Sequence, residues 1–161
     1  MGTVFTDTEG RKWTVALNVA ALARVKNLCA VNLLSVVEPE SKLLQEISTD
    51  PVTLCNVLFA IAKPEADARA VTDEAFGAAL GGDALSEATE ALIQGVIDFF
   101  PKARRSLFQK AFDRAKVIQT KQEALVAEGL EKILDAAEAS LVARNPLSGN
   151  APESSVATPQ A

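Results

Sequence analysis

Histidine is absent from all 161 residues of this chain, and so is tyrosine. Without imidazole the chain lacks the side chain that titrates unaided near neutral pH and the commonest metal ligand. That excludes His-dependent catalysis and His-ligated metal sites. Aromatic residues make up only 5%, one Trp and seven Phe, whereas alanine is abundant. Such a balance favours close-packed helices over a sheet core built on aromatics. Cysteine is scarce as well: Cys29 and Cys55 do not form a C-x-x-C pair, and each falls inside an apolar helical pattern. They read as small buried hydrophobes; spacing alone leaves a disulfide between them open, although nothing in the chain points to an oxidising compartment.

No apolar run approaches the roughly 20 residues needed to cross a bilayer, and the N-terminus lacks the basic-then-apolar pattern of an export signal. A soluble, intracellular protein with no membrane partner is expected. Enzyme signatures are missing too. There is no G-x-x-x-x-G-K-[ST], no G-x-G-x-x-G, no G-x-S-x-G elbow and no EF-hand spacing. A Ser or Cys nucleophile would have no His to activate it. The neighbouring carboxylates Asp73 with Glu74, and Glu87 with Glu90, read as helix caps and solvated faces rather than acid–base pairs. Neither a catalytic residue nor a cofactor or metal site is expected.

What the chain does have is helix, above all from Pro101 to Arg144. Pro101 suits the first helical position, and no further proline occurs before Pro146. Apolar residues including Leu107, Ala111, Ile118, Leu125 and Ile133 recur at spacings of three and four, the mark of a helical stripe. Such a helix is about 65 Å long at 1.5 Å per residue, whereas a compact chain of this length has a radius of gyration of about 15 Å. Two outcomes are open: the helix bends, with Gly129 its weakest point, or its distal half completes its core on another chain.

Charge is unevenly spread along this stretch. Between Lys102 and Lys121 seven basic residues, among them Arg104, Arg105 and Arg114, face only Asp113, a local balance of +6; the remainder then carries −11 to give the net −5. The basic run is either a solvated face near the acidic remainder or an attachment face for an acidic partner. Nucleic acid is not expected, because the excess is local, the total is acidic, and only Phe108 and Phe112 interleave as aromatics. Leu107, Ala111, Ile118, Leu125 and Ile133, flanked by Arg104, Arg105 and Arg114, form the candidate partner-binding set.

Taken in order, Val4 to Thr6 and Trp13 to Leu17 flank the turn Asp7-Thr8-Glu9-Gly10, a β-hairpin within residues 3–17. A lone hairpin is marginal in water, so it is expected to pack on the helices through Trp13 and Phe5. Asn18 caps a helix from Val19 to about Ala30, with Leu22, Val25, Leu28 and Cys29 on one side. Val31 to Val37 is a connector or a short strand. Pro39 opens a short helix to about Ile47, with Leu43, Leu44 and Ile47 inward. Asp50-Pro51 begins the most apolar helix, Val52 to Ala62, which Lys63-Pro64 is expected to end. Glu65 to Ala70 then reads as a polar connector or single turn. Thr72 caps a helix to Leu80, Gly81-Gly82 stops it, and Asp83 caps Ala84 to Phe100. There Leu85, Ala88, Leu92, Val96 and Phe99 form the inner stripe, and Glu87, Glu90 and Asp98 the outer face. From Asn145 the segment NPLSGNAPESSVATPQA lacks the apolar content to offset ordering entropy and reads as a flexible tail. The fold class is mainly α with minor β: one domain, residues 1–144, a hairpin packed on several helices with a long C-terminal helix, then a disordered tail over residues 145–161.

The segments FTDTEGRKWTVALNVAALARVKNLCAVNLLSVV, DPVTLCNVLFAIAKPEAD, TDEAFGAALGGDALSEATEALIQGVIDFFP and ARRSLFQKAFDRA, spanning about Phe5 to Leu125, resemble in pattern and order a family of small proteins of tailed bacteriophages and prophages, the tail assembly chaperones. The resemblance implies a non-catalytic helper in the host bacterial cytoplasm that binds the tape measure protein and assists tail-tube assembly, with the tail tube protein as a further partner. It leaves self-association open. In several such systems a translational frameshift appends a second domain. The alternative within the same phage setting is a structural tail or head-tail connector component.

Overall fold

The computed structural model describes residues 2–38, 40–144 and 160. The expected tail over residues 145–161 therefore lies outside the described residues, apart from Gln160, as does Pro39. The fold is mainly α with one two-stranded antiparallel sheet. Two compact units divide it, Met1–Arg114 and Ala115–Ala161.

In the first unit, β1 (Thr3–Thr6) pairs with β2 (Lys12–Val15), Phe5 opposite Trp13. Alternation puts Phe5, Trp13 and Val15 on one face, all buried. The intervening turn is held by Asp7, whose carboxylate accepts from the Glu9 and Arg11 backbone N–H groups at 3.0 and 2.8 Å, from Arg11 Nε at 2.7 Å and from Trp13 Nε1 at 2.8 Å. Burial by itself raises the Asp7 pKa, but the hydrogen bonds from Trp13 and Arg11, with the Arg11 charge, outweigh it and hold the carboxyl below its ordinary value. Trp13 is thus the structural anchor expected of it. Its ring meets Phe76 edge-on at 4.9 Å, and the guanidinium of Arg69 lies 4.9 Å from its centre. Phe76 also touches Phe59 at 5.5 Å and Phe5 at 6.4 Å, so one aromatic cluster joins hairpin to helices, each ring pair contributing about 0.5–1.5 kcal/mol beyond burial.

Helix α1 (Val19–Cys29) starts where expected, with the Asn18 side chain accepting from Ala21 N–H. Its buried residues are Ala21 and Val25; Leu28, expected inward, is exposed, because α1 packs on α3 (Pro51–Ala68) through the small face around Ala21. Leu33–Val37 is a 3-10 helix, not a strand: β1 and β2 pair only with each other. Helix α2 runs Leu43–Thr49, later than the expected start at Pro39. Leu43 and Ile47 are buried at its i, i+4 spacing, whereas Leu44, expected inward, faces solvent.

The largest departure concerns α3. Asp50 caps it, accepting from Val52 N–H at 3.0 Å, but the helix passes through Pro64 and ends at Ala68, so Glu65 to Ala70 is not a connector. Pro64 has no N–H for the carbonyl of Ala60. Arg24 of α1 supplies the missing donor, Nε to Ala60 O at 3.1 Å, and bonds Ile61 O through Nη2 at 3.2 Å. The extra turns then hold the hairpin: Glu65 accepts from Thr14 N–H at 3.0 Å and pairs with Arg69 at 2.6 Å, while Arg69 donates to Lys12 O at 2.8 Å. These contacts cover part of the open edge of β2, which would otherwise present unpaired backbone.

Helix α4 (Asp73–Ala78) is capped by Thr72 as expected. Asp83 is the first residue of α5 (Asp83–Phe99) rather than its cap; Gly82 takes the cap position at φ +53°, a left-handed conformation that suits glycine. Ala84, Ala88, Ala91, Leu92, Val96 and Ile97 of α5 are buried, Leu85 and Phe99 only partly. Glu87 and Glu90 are exposed and Asp98 is half-buried. Strand β1 lies on α5, with Thr3 Oγ1 donating to Ala91 O, and a Cβ added at Gly95 would stand 3.2 Å from Val15 Cγ1. Cys29 and Cys55 are both free thiols; burial pushes both pKa values up, and Asp73 adds to the rise at Cys55.

Candidate partner-binding surface

Helix α6 (Lys102–Arg144) is continuous over 43 residues and carries the whole candidate set. Pro101 immediately precedes it, its carbonyl accepting from the N–H groups of Arg104 and Arg105. Gly129 lies within the helix, which does not break there.

Within the first unit, the early turns of α6 meet the end of α5. Phe108 packs edge-on against Phe100 at 5.0 Å, and Gln94 donates to Gln109 at 2.9 Å. Arg105 donates through Nη2 to Asp98 O at 2.6 Å and to Phe100 O at 3.3 Å, satisfying carbonyls that the end of α5 leaves without helical donors. Asp113, the single acid of the basic run, accepts from Gln109 at 3.0 Å. Arg104, Leu107, Ala111 and Arg114 are exposed, Leu107 at 65%. Arg105 is exposed too, but its guanidinium already serves α5.

Of the second unit, Ala115–Arg144 is described, and no residue of it is buried. Ile118 is 57% exposed, Leu125 67% and Ile133 66%. Val126, Leu130, Leu134 and Leu141 stand equally open beside them. Val117 and Val142 are exposed as well and lie off the three-and-four spacing; they were legible as apolar but not as members of the stripe. Around the apolar residues the polar groups pair along the helix, Lys132 with Glu128 at 2.7 Å and Gln119 with Glu123 at 2.9 Å. An apolar stripe with charged flanks is the form in which one helix offers itself to another or to a groove.

Among the described residues no group of three His, Cys, Asp or Glu side chains converges to hold a metal ion. An open depression of about 490 Å³ lies between α3 and α4, lined by Phe59, Lys63, Asp67, Val71, Thr72 and Asp73, with Lys63 paired to Asp67 at 2.9 Å. Among the described residues no helix is long and apolar enough to cross a membrane. Comparison of the chain with protein-family models, with curated proteins and with solved structures finds no match.

Proposed function

We propose that this chain is a non-catalytic tail assembly chaperone of a tailed bacteriophage or prophage. It acts in the host bacterial cytoplasm, binds the tape measure protein and hands it to the tail tube protein. The observation that supports this reading is the absence of any buried residue over Ala115–Arg144, a helical stretch with seven large apolar side chains in its stripe. A helix of this kind draws its stability from a packed apolar face, and no such packing exists within the second unit as described. A long helical partner with matching apolar stripes supplies it. Reversibility follows, since the cover is an intermolecular contact rather than part of the monomer core.

Affinity capture of the tape measure protein by the tagged full chain tests this directly. Capture that is lost when Ile118, Leu125 and Ile133 are replaced by Asp supports the chaperone, provided that purified virions lack the chain. The chain present in virions at a fixed copy number would instead identify a structural tail or connector component, and no capture at all would end the chaperone reading.

A further inference from the structure

Over residues 115–144 the large apolar side chains come in neighbouring pairs. Val117 with Ile118 is followed eight residues on by Leu125 with Val126, then by Ile133 with Leu134, then by Leu141 with Val142, every one of them exposed. Leu130, beside Gly129, stands midway between the second pair and the third. Two helical turns take about 7.2 residues, so a repeat of eight points each pair about 80° further round the helix than the pair before. The apolar surface therefore winds. From the first pair to the last it turns through about 240°, in the right-handed sense of a period longer than the helical turn.

No single helix follows such a path. A spiral that advances about 10° per residue closes in about 36 residues, or 54 Å, whereas two-stranded coiled coils have a pitch of about 140–210 Å. A straight partner helix packs on a face about 100° wide, which takes in the directions of two successive pairs. The first two pairs and the last two need separate covers, on faces whose centres lie about 160° apart.

Charge distinguishes the same two faces. Lys121 lies between Val117 and Leu125, each four residues away along one side of the helix, and Glu138 holds the matching place between Leu134 and Val142. Both are exposed, and neither forms an ion pair among the described residues. One face calls for an acid opposite it, the other for a base. We infer that residues 115–144 are gripped from opposite sides by two different helices of the partner, an acid-bearing helix along residues 117–126 and a base-bearing helix along residues 133–142. The inference rests on the chaperone reading, since it assigns both helices to the tape measure protein. A segment held in this way is covered around most of its girth, and its two contacts can be released one at a time.

Photocrosslinking of the full chain tests it, with p-benzoylphenylalanine placed at Leu125 or at Leu134 and the tape measure protein captured by the tagged chain. Peptide mapping by mass spectrometry should place the two labels in two separate helices of that protein. At saturating partner, Ile118→Asp should lower labelling from Leu125 about tenfold and leave labelling from Leu134 unchanged, and Leu141→Asp should do the reverse. Labels about nine residues apart in one helix mean a single straight cover and overturn the inference while leaving the chaperone intact. Labels on another copy of this chain overturn it too, as does loss of both labels from either replacement. No capture by the unaltered chain ends the chaperone reading and this inference with it.

Discussion

Arg24 donates its Nε proton across 3.1 Å to the carbonyl oxygen of Ala60, the acceptor that Pro64 leaves without a backbone donor. A proline in a helix interior ordinarily costs about 3 kcal/mol; here a side chain from α1 restores one of the two things the proline removes. The result is a helix four residues longer past Pro64, ending at Ala68, and those residues include Glu65, which holds the hairpin edge.

Replacing Arg24 by Ala should lower unfolding free energy by about 1–3 kcal/mol, the range for stranding a buried acceptor. In a Pro64→Ala background, where a backbone N–H returns to Ala60, the same replacement should cost about 1 kcal/mol less. Urea titrations of the four proteins in this double-mutant cycle, followed by Trp13 fluorescence, measure the coupling.

Asp7→Asn should destabilise the first unit by about 3 kcal/mol, since the amide keeps one acceptor oxygen where the carboxylate has two and turns an NH2 toward two of the four N–H donors that Asp7 satisfies. The pH dependence has a defined sign. Asp7 has a folded-state pKa below its ordinary value of 3.8, so its contribution is fully present above that value and is lost as pH falls from there through the folded pKa. The stability difference between wild type and Asp7→Asn should be flat at neutral pH and shrink below about pH 4. Denaturation of both proteins across that range checks it, and a difference that grows on acidification would contradict it.

The triple replacement Ile118→Asp, Leu125→Asp and Ile133→Asp should abolish association and leave the first unit standing. Because these side chains are exposed, the Trp13-monitored unfolding free energy should shift by no more than about 0.5 kcal/mol. A loss of several kcal/mol in that signal would show that the stripe belongs to the core of the monomer.

Gly95→Leu should destabilise by about 1–3 kcal/mol through overpacking, even though leucine is the better helix former. The β-carbon alone meets Val15 at 3.2 Å and Thr3 Oγ1 at 3.5 Å, so a larger side chain must push the hairpin from α5. Thermal unfolding of the variant against wild type reads the effect.

How far the sequence discloses the fold depends on the range of the interaction concerned. Caps act within one turn, and Asn18, Asp50 and Thr72 were all readable as helix starts because each bonds a backbone N–H two or three residues on. The length of α3 was not readable, because its passage through Pro64 depends on Arg24, whose guanidinium bonds Ala60 and Ile61 from another helix. Leu28 was misplaced for a similar reason: periodicity favours the larger side chain, whereas α1 buries Ala21 and turns Leu28 to solvent. Length alone left two outcomes for α6, a bend at Gly129 or a distal half without a core of its own; the helix is continuous through Gly129 and none of its residues is buried. Arg105 was named for its charge, whereas its guanidinium is engaged with the carbonyls ending α5, a contact set by the fold and not by spacing.

Because Ala115–Arg144 encloses nothing, every peptide proton along it is separated from solvent by a single turn of backbone. Its melting in an isolated chain is then gradual and fraying, a helix–coil equilibrium, while the first unit unfolds in one sharp step. Deuterium uptake would therefore resolve two populations in one polypeptide: fast, graded labelling over the distal helix and slow, all-or-none labelling around Trp13. Any molecule that slows the fast class without altering the slow one has announced itself as the covering surface.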